Sequence, residues 1–494
     1  MKNKRTRTRF APSPTGFVHI GNLRTALYAY LLAKSKNGDF VLRVENTDQK
    51  RLVEGSLEKI IGALSWAGIN PDEGVYIDKD GSVKEKGELG PYFQSKRLDL
   101  YQNHAKKLLD SGHAYHCFCS TERLQELRKN QQKNGQPPMY DKKCLSLSKQ
   151  EVKQKVDAGE KYVLRMNVPT DKIIKFEDQV YGEISVKSST IDDQVIIKSD
   201  GFPTYHLAVV VDDHHMKISH IVRGEEWLPS TPKHVLLYEF FSWSPPAFVH
   251  VPNVLGENKK KLSKRQGDIG VYDFIESGYL PEALVNFISL LGWNPKNGQE
   301  HFTLKELEKI FDEKGLHKAG AVFDYKKLGW MNAHYIKQKN DDELLQLCLP
   351  FFEKYLAKKN VDHTESLLKK IVNIEKDRIK TINEITQNID FYFTSPIPEK
   401  EMLRWKEMTD QELKRSLLKS EEVISSIEEK QFDIENLHQQ LFDAAKDKKG
   451  ELLWPLRVSL SGQKNSPSPF EIAWAIGKDE ALKRIDSALK IING

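Results

Sequence analysis

The 494 residues carry 75 Lys and Arg against 70 Asp and Glu, a formal net charge of +5, with 39% hydrophobic and 29% charged residues. This length corresponds to about three or four domains, and the near balance of charge excludes a histone-like tail, so any nucleic-acid contact must use local basic patches. No run approaches the roughly 20 apolar residues that cross a bilayer. The basic residues 1–9 lead into Pro12 and not into an apolar secretory stretch, so a cytoplasmic protein without membrane contact is expected.

A strand-like run at residues 6–11 meets Pro12, Pro14 and Gly16, and helical spacing begins at Leu23, Ala26, Leu27, Tyr30 and Leu31. A second strand is predicted at 40–45, followed by a helix with Leu57, Ile60, Ile61 and Leu64 on one face. This β-α-β-α opening predicts a parallel sheet. Between about residues 90 and 189 the pattern loosens into a helix through Tyr101 and Leu108, a cysteine segment, a polar stretch at 129–141 and β-like runs near 162–168, which reads as an insertion. Strands are predicted to resume at 195–198, 205–211 and 218–222. A helix over 231–241 follows, with Pro232 in its first turn.

Helices dominate from Pro281: one over 282–291 stopped by Gly292, one opened by a Thr303/Glu306 capping box, and longer ones at 342–355, 365–385, 411–428 and 434–445. Residues 351–494 are close to electroneutral, which argues against nonspecific electrostatic binding.

Two stretches carry phosphate chemistry. Phe10-Ala-Pro-Ser-Pro-Thr-Gly-Phe-Val-His19-Ile-Gly-Asn22 lies where a strand gives way to a helix, the point in an open α/β sheet where phosphates meet unpaired N–H groups. His19 can donate to phosphate oxygens there, although a proline-rich turn with a surface histidine would look alike. Lys259-Lys-Lys-Leu-Ser-Lys264-Arg265 concentrates positive charge on a loop between Gly256 and Gly267, suited to clamping a polyphosphate, although a solvated basic loop has the same composition. A third segment holds Cys117, Cys119 and Cys144, three of only four cysteines, a spacing that suggests metal ligation more than disulfides.

His19-Ile-Gly-Asn22 and Lys261-Leu-Ser-Lys-Arg265 resemble the two ATP motifs of class I aminoacyl-tRNA synthetases. Arg9-Phe-Ala-Pro-Ser-Pro-Thr-Gly16, Arg43-Val-Glu-Asn-Thr-Asp48, Gly201-Phe-Pro-Thr-Tyr-His-Leu-Ala208, Val211-Asp-Asp213, Ile221-Val-Arg-Gly-Glu-Glu226 and Trp454-Pro-Leu-Arg457 narrow the likeness to the bacterial glutamyl-tRNA synthetases, over essentially the whole chain. Asn22 stands in place of the first motif's second histidine, and Leu262 and Arg265 in place of Met and Ser in the second.

The resemblance implies an α/β Rossmann-like catalytic domain with an inserted α+β domain, followed by an all-α anticodon-binding half. The implied boundaries are a catalytic domain at residues 1–92 and 191–245, an acceptor-end insertion at 93–190, a stem-contact domain at 246–332 and a helical anticodon-binding domain at 333–494. It implies a monomeric ligase that uses ATP and Mg²⁺ to activate L-glutamate and passes it to tRNA(Glu). Pro14, Thr15, Gly16, His19, Gly21, Asn22, Lys261, Leu262, Ser263, Lys264 and Arg265 would bind ATP, with His19, Lys261 and Lys264 as the charge-stabilising residues. Arg9, Ala11, Ser13, Glu45, Tyr205 and Arg223 would hold glutamate, Arg223 by a bidentate fork on the γ-carboxylate.

Relatives with zinc in the insertion pair Cys-x-Cys with Cys-x-His, but Ser146 occupies the histidine position. Tyr140 or His116 is then the candidate fourth ligand. Arg378 and Arg457 would contact the anticodon of tRNA. Competing readings are a glutaminyl-type or non-discriminating ligase, an RNA-independent nucleotidyltransferase of the same superfamily, and a noncatalytic RNA-binding paralogue.

Overall fold

The computed structural model describes residues 5–262 and 270–493. Ser263, Lys264 and Arg265 of the basic loop lie outside the described residues. The chain divides into two compact units, residues 1–275 with 281–325, and residues 276–280 with 326–494.

In the first unit, β1 (Arg7–Phe10), β2 (Asp39–Leu42) and β3 (Glu73–Ile77) form a parallel sheet edged by antiparallel β4 (Val83–Lys86). Helix α1 (Ile20–Ser35) makes the first crossover and α2 (Ser56–Trp66) the second. The insertion contributes an antiparallel sheet of β5 (Ala114–Cys117), β6 (Val163–Met166) and β9 (Val195–Ile197). Its helices are α3 (Leu98–Asp110), α4 (Thr121–Lys133) and α5 (Lys149–Asp157).

The hairpin β7 (Ile173–Asp178) and β8 (Gly182–Lys187) lies inside the same span of sequence but extends the other half of the catalytic core, where β10 (His220–Gly224) runs parallel to β11 (Ala247–Val251) and β11 parallel to β7. Ser219 N donates to Arg7 O at 2.9 Å, which brings β10 alongside β1. The parallel strands therefore run β3-β2-β1 and then β10-β11. The order reverses between β1 and β10, the topological position where such sheets open a ligand crevice at their C-terminal ends. A small parallel pair, β12 (Val254–Leu255) with β13 (Ala321–Val322), follows.

The predicted strand at 205–211 is instead the first part of helix α6 (Tyr205–His215). Leu207 to Asp213 are all buried, so the run shows no polar face, and three successive valines imitate a buried strand. Ahead of the basic loop, Pro252 separates β11 from β12. The helix predicted over 365–385 ends at Glu375, and the apolar spacing continues in a separate 3₁₀ turn, Ile382–Thr386. Helix α4 escaped the sequence reading because none of its residues is buried.

Thr303 and Glu306 do form the capping box, and helix α7 (Thr231–Phe240) carries Pro232 in its first turn. The helix from Pro281 to Ser289 is followed by Gly292 at φ 101°. The second unit is helical, built on Tyr325–Gln338, Asp341–Lys359, Glu365–Glu375, Asp410–Ser426, Ile434–Ala445, Lys449–Ser461, Pro469–Ile476 and Lys478–Asn493, the first helix beginning one residue before the boundary. No helix among the described residues is long and apolar enough to cross a membrane.

Candidate active site

A cavity of about 850 Å³ opens at the C-terminal ends of β1 and β10. Arg9, Ala11, Ser13, His19, Gly21, Asn22, Glu45 and Tyr205 line it, together with Arg223, Lys261 and Leu262. Segments more than 200 residues apart in sequence thus share one concavity. Pro14, Thr15 and Gly16 are not in its wall: Pro14 O accepts from Val53 N, Thr15 N donates to Ser13 O, and Gly16 O accepts from Ser56 Oγ, so these three shape the turn that leads to it.

His19 caps α1, its Nδ1 accepting from Asn22 N at 3.3 Å. A Cβ on Gly21 would meet the His19 ring at 3.1 Å, so glycine there makes room for the imidazole. Gly270 bridges to His19, and Val271 N donates to Val18 O. The described residues on either side of 263–269 therefore both reach the cavity, Leu262 at its wall and Gly270 against His19. Lys261 Nζ lies 3.5 Å from Glu226 Oε1 and remains more than half exposed.

Beneath the floor lies a network of buried charge. Arg9 Nε donates to both oxygens of Asp213 at 3.1 and 3.3 Å, and Arg43 Nη1 donates to the same carboxylate at 2.7 Å. Burial pushes the Asp213 carboxyl up, but Arg9 and Arg43 outweigh it and hold the group below its ordinary range. Arg43 Nη2 also donates to Glu45 Oε1 at 3.0 Å, whereas Glu45 Oε2 has no hydrogen bond among the described residues. Burial raises the Glu45 carboxyl against the pull of Arg43.

Arg223 is compensated differently. Its Nε donates to His250 Nε2 at 3.0 Å, Nη2 to Thr231 Oγ1 at 2.8 Å, and Nη1 to His234 Nδ1 at 3.1 Å and to the Tyr205 hydroxyl at 3.4 Å. No carboxylate among the described residues is in ion-pair reach of it, and burial lowers its pKa. Sequence reasoning found Arg9, Glu45 and Arg223 but assigned no role to Arg43, Asp213, His234 or His250. The quoted segments around Arg43 and Asp213 carried a signal, whereas His250 is a lone histidine in an apolar strand.

In the insertion, Cys119 Sγ lies 3.5 Å from Cys144 Sγ, and the Tyr140 hydroxyl lies 3.4 Å from Cys117 Sγ and 3.3 Å from Cys119 Sγ. The three sulfurs are within 4.8 Å of one another. Burial pushes the Cys117 thiol up, but hydrogen bonding with Tyr140 and Arg165 leaves it below its ordinary value, whereas burial pushes Cys119 up to about 11. Three thiols and a phenol oxygen converging in one place fit a tetrahedral zinc site. His116 is not in that group; its ring packs on Phe118 and Tyr162.

In the helical unit, Arg378 Nη2 meets Glu471 Oε2 at 3.4 Å, and Glu471 also closes the capping box with Ser468. Arg457 is half-buried, and its Nε has no hydrogen-bond partner among the described residues.

The sequence matches the family described as tRNA synthetases class I (E and Q), catalytic domain, over residues 5–330, and an anticodon binding domain over residues 343–489. It is 46% identical to a glutamate–tRNA ligase of Clostridioides difficile (strain 630) over 492 residues, 97% of this chain and 98% of that protein. It is likewise 46% identical to one from Alkaliphilus metalliredigens (strain QYMF) over 485 residues, 97% of this chain and 98% of that protein. A crystal structure of a glutamate tRNA ligase from Elizabethkingia meningosepticum in complex with its amino acid superposes with a TM-score of 0.88 at 37% identity, covering 99% of this chain and all of that one. With a switch-point crevice in a parallel sheet, an all-helical second unit and full-length likeness of this degree, the chain belongs to the class I tRNA synthetase (E and Q) family, among its glutamate–tRNA ligases.

Proposed function

We propose that the chain activates L-glutamate with ATP and transfers it to the 3′ end of tRNA(Glu). The observation that carries this reading is that His19, Lys261 and Arg223 line one cavity. A guanidinium without a carboxylate partner selects an acidic side chain over the corresponding amide. Arg223 is accordingly assigned the substrate γ-carboxylate, and the unengaged Oε2 of Glu45 the α-ammonium. Tyr205, Arg9, Ala11 and Ser13 form the surrounding wall, Arg9 largely neutralised by Asp213.

The reaction needs no covalent enzyme intermediate. The substrate α-carboxylate oxygen bonds to the α-phosphorus of ATP, and the bridging oxygen leaves with pyrophosphate. A terminal ribose hydroxyl of the tRNA then attacks the carbonyl carbon of the adenylate, losing its proton as AMP leaves. The chain contributes position and positive potential: the amide-rich start of α1 and His19 on one side and Lys261 on the other, with Lys264 of the basic loop assigned the same charge-stabilising role. Leu262, Ser263 and Arg265 are assigned to nucleotide binding as neighbours of these lysines in the sequence. Mg²⁺ would neutralise phosphate charge. It would be held chiefly by the polyphosphate's own oxygens.

Cys117, Cys119, Cys144 and Tyr140 are assigned to a structural zinc ion that would tie the Cys-x-Cys turn to Cys144. Elemental analysis of the purified protein should find one zinc per chain, and its absence would remove the assignment. The five-part division is kept with two changes that the strand pairing supports: β7 and β8, inside 93–190, are assigned to the catalytic core, and β9, inside 191–245, to the insertion. The helical unit is assigned the anticodon, Arg378 the rejection of the glutamine anticodon, and Arg457 the same surface.

The test is a charging assay with purified tRNA(Glu) and tRNA(Gln), each with glutamate and glutamine. Glutamate on tRNA(Glu) should be the preferred product. Lys264→Ala should lower tRNA-dependent ATP/pyrophosphate exchange by about 10² or more, the effect of deleting one preorganised donor to developing charge. Near-normal exchange in that variant would refute the nucleotide assignment.

A further inference from the structure

An arginine offers five N–H donors and no acceptor, so every ring nitrogen facing it must present a lone pair. At Arg223 this condition assigns two tautomers. His250 accepts at Nε2, so its proton is on Nδ1, which donates to Asp178 Oδ2 at 2.6 Å. His234 accepts at Nδ1, so its proton is on Nε2, which donates to His206 Nδ1 at 3.0 Å. Asp178 is itself fully committed: Oδ1 accepts from Val180 N and Tyr181 N in the β7–β8 turn, and Oδ2 also accepts from His250 N.

Four of the five guanidinium N–H groups are thus taken by uncharged acceptors, and one on Nη2 is left without a protein acceptor among the described residues. Arg9 shows the alternative within the same cavity, a guanidinium tied to a carboxylate and largely spent.

The geometry points to His250, His234 and Thr231 as positioning residues for Arg223. They form an uncharged cradle that fixes the guanidinium plane and leaves its charge for an incoming carboxylate, with Asp178 locking the His250 tautomer. The inference rests on the reading of Arg223 as the partner of the substrate side chain, and it adds residues to that reading. A free arginine side chain samples many rotamers, and holding it in one beforehand removes that ordering cost from substrate binding. A carboxylate in the cradle would hold it as well but would compete with the substrate for the same charge.

The experiment is tRNA-dependent ATP/pyrophosphate exchange on the full chain, with glutamate and ATP varied separately. His250→Phe should raise KM for glutamate about tenfold or more, the loss of one hydrogen bond to a charged group, and leave KM for ATP within about twofold. His250→Gln, whose amide oxygen can accept from Nε, should recover most of the loss. Thr231→Val, nearly isosteric, should shift KM for glutamate in the same direction and guards against misfolding of the histidine variant. Arg223→Gln is the reference. If it leaves glutamate use intact, the underlying reading fails. If Arg223→Gln abolishes glutamate use while His250→Phe and Thr231→Val leave KM for glutamate unchanged, or raise both KM values equally, the cradle is wrong and the reading of Arg223 stands.

Discussion

The two compact units handle charge in opposite ways. The first buries Arg9, Arg43, Arg97, Asp212, Asp213 and Arg223 around the crevice, whereas in the second Arg484 is the one buried charged side chain among the described residues. Each buried ion costs several kcal/mol of desolvation and is kept only with compensating partners. In the first unit the compensation is a chain of shared carboxylates: Asp213 serves Arg9 and Arg43, and Asp212 serves Arg97 at 2.7 Å together with the Tyr101 hydroxyl and Gln94. The second unit buries leucine and isoleucine faces and leaves its ion pairs at the surface, as in Lys369–Asp342 and Lys400–Asp410. A unit that must select one small charged molecule carries preorganised charge in its interior. A unit assigned to a large polyanion can read it from outside, with pairs that water already screens.

The sharpest way to break this comparison is Asp213→Asn. It leaves two buried guanidinium groups short of their carboxylate and should destabilise the first unit by about 3–5 kcal/mol, read as a fall in the urea midpoint of its transition. A loss below about 1 kcal/mol would place the network among ordinary surface pairs.

A smaller effect comes with pH. Burial pushes His206 down to about 4 and lowers His234 and His250, so the unfolded chain binds more protons than the folded one below about pH 6.5. Stability should therefore be full at neutral pH and fall as the pH drops toward 5.5, His206 alone contributing about 1 kcal/mol. Glu45 and Asp212, raised by burial, work in the opposite direction, because each is stabilised as it takes up a proton above the ordinary carboxylate range, and they reduce the loss. Denaturant midpoints at pH 7.5 and 5.5 should show the loss in the first unit, and a flat profile would contradict the buried-neutral assignment.

The smallest stability effect belongs to the helical unit. Arg378→Ala breaks the 3.4 Å contact with Glu471 and should change stability by less than about 1 kcal/mol, while raising the charging of tRNA(Gln) relative to tRNA(Glu). Unchanged selectivity would remove Arg378 from the anticodon assignment.

Much of the fold around the cavity was legible in the sequence because the proline-rich turn before α1 is a local pattern with a local cause. The alternation of strand and helix up to Leu64 predicts the sheet, and Pro232 and Thr303 mark helix starts by chemistry that acts over the first turn. The misreadings arose where burial is complete or absent. Helix α6 is buried through Leu207 to Asp213 and hides its period, and α4 buries none of its residues and shows no stripe. The cradle of Arg223, with the carboxylate behind His250, was illegible for a different reason. Asp178, Thr231 and His250 come from a hairpin, a helix start and a strand, and only the pairing of β7 with β11 brings the carboxylate to the imidazole. The cysteine site lay between these cases: the thiol spacing was visible, but the choice of Tyr140 over His116 required the fold.

The account turns on Arg223 as a guanidinium that keeps its charge for an acidic substrate. The direct measurement is tRNA-dependent ATP/pyrophosphate exchange by the Arg223→Gln chain, with glutamate and with glutamine, beside the unaltered chain. The account predicts that glutamate-dependent exchange falls by about 10² or more, the value of a hydrogen bond to a charged group, and that the preference for glutamate over glutamine collapses. Glutamate-dependent exchange within a few-fold of the unaltered chain, with its preference intact, would contradict it.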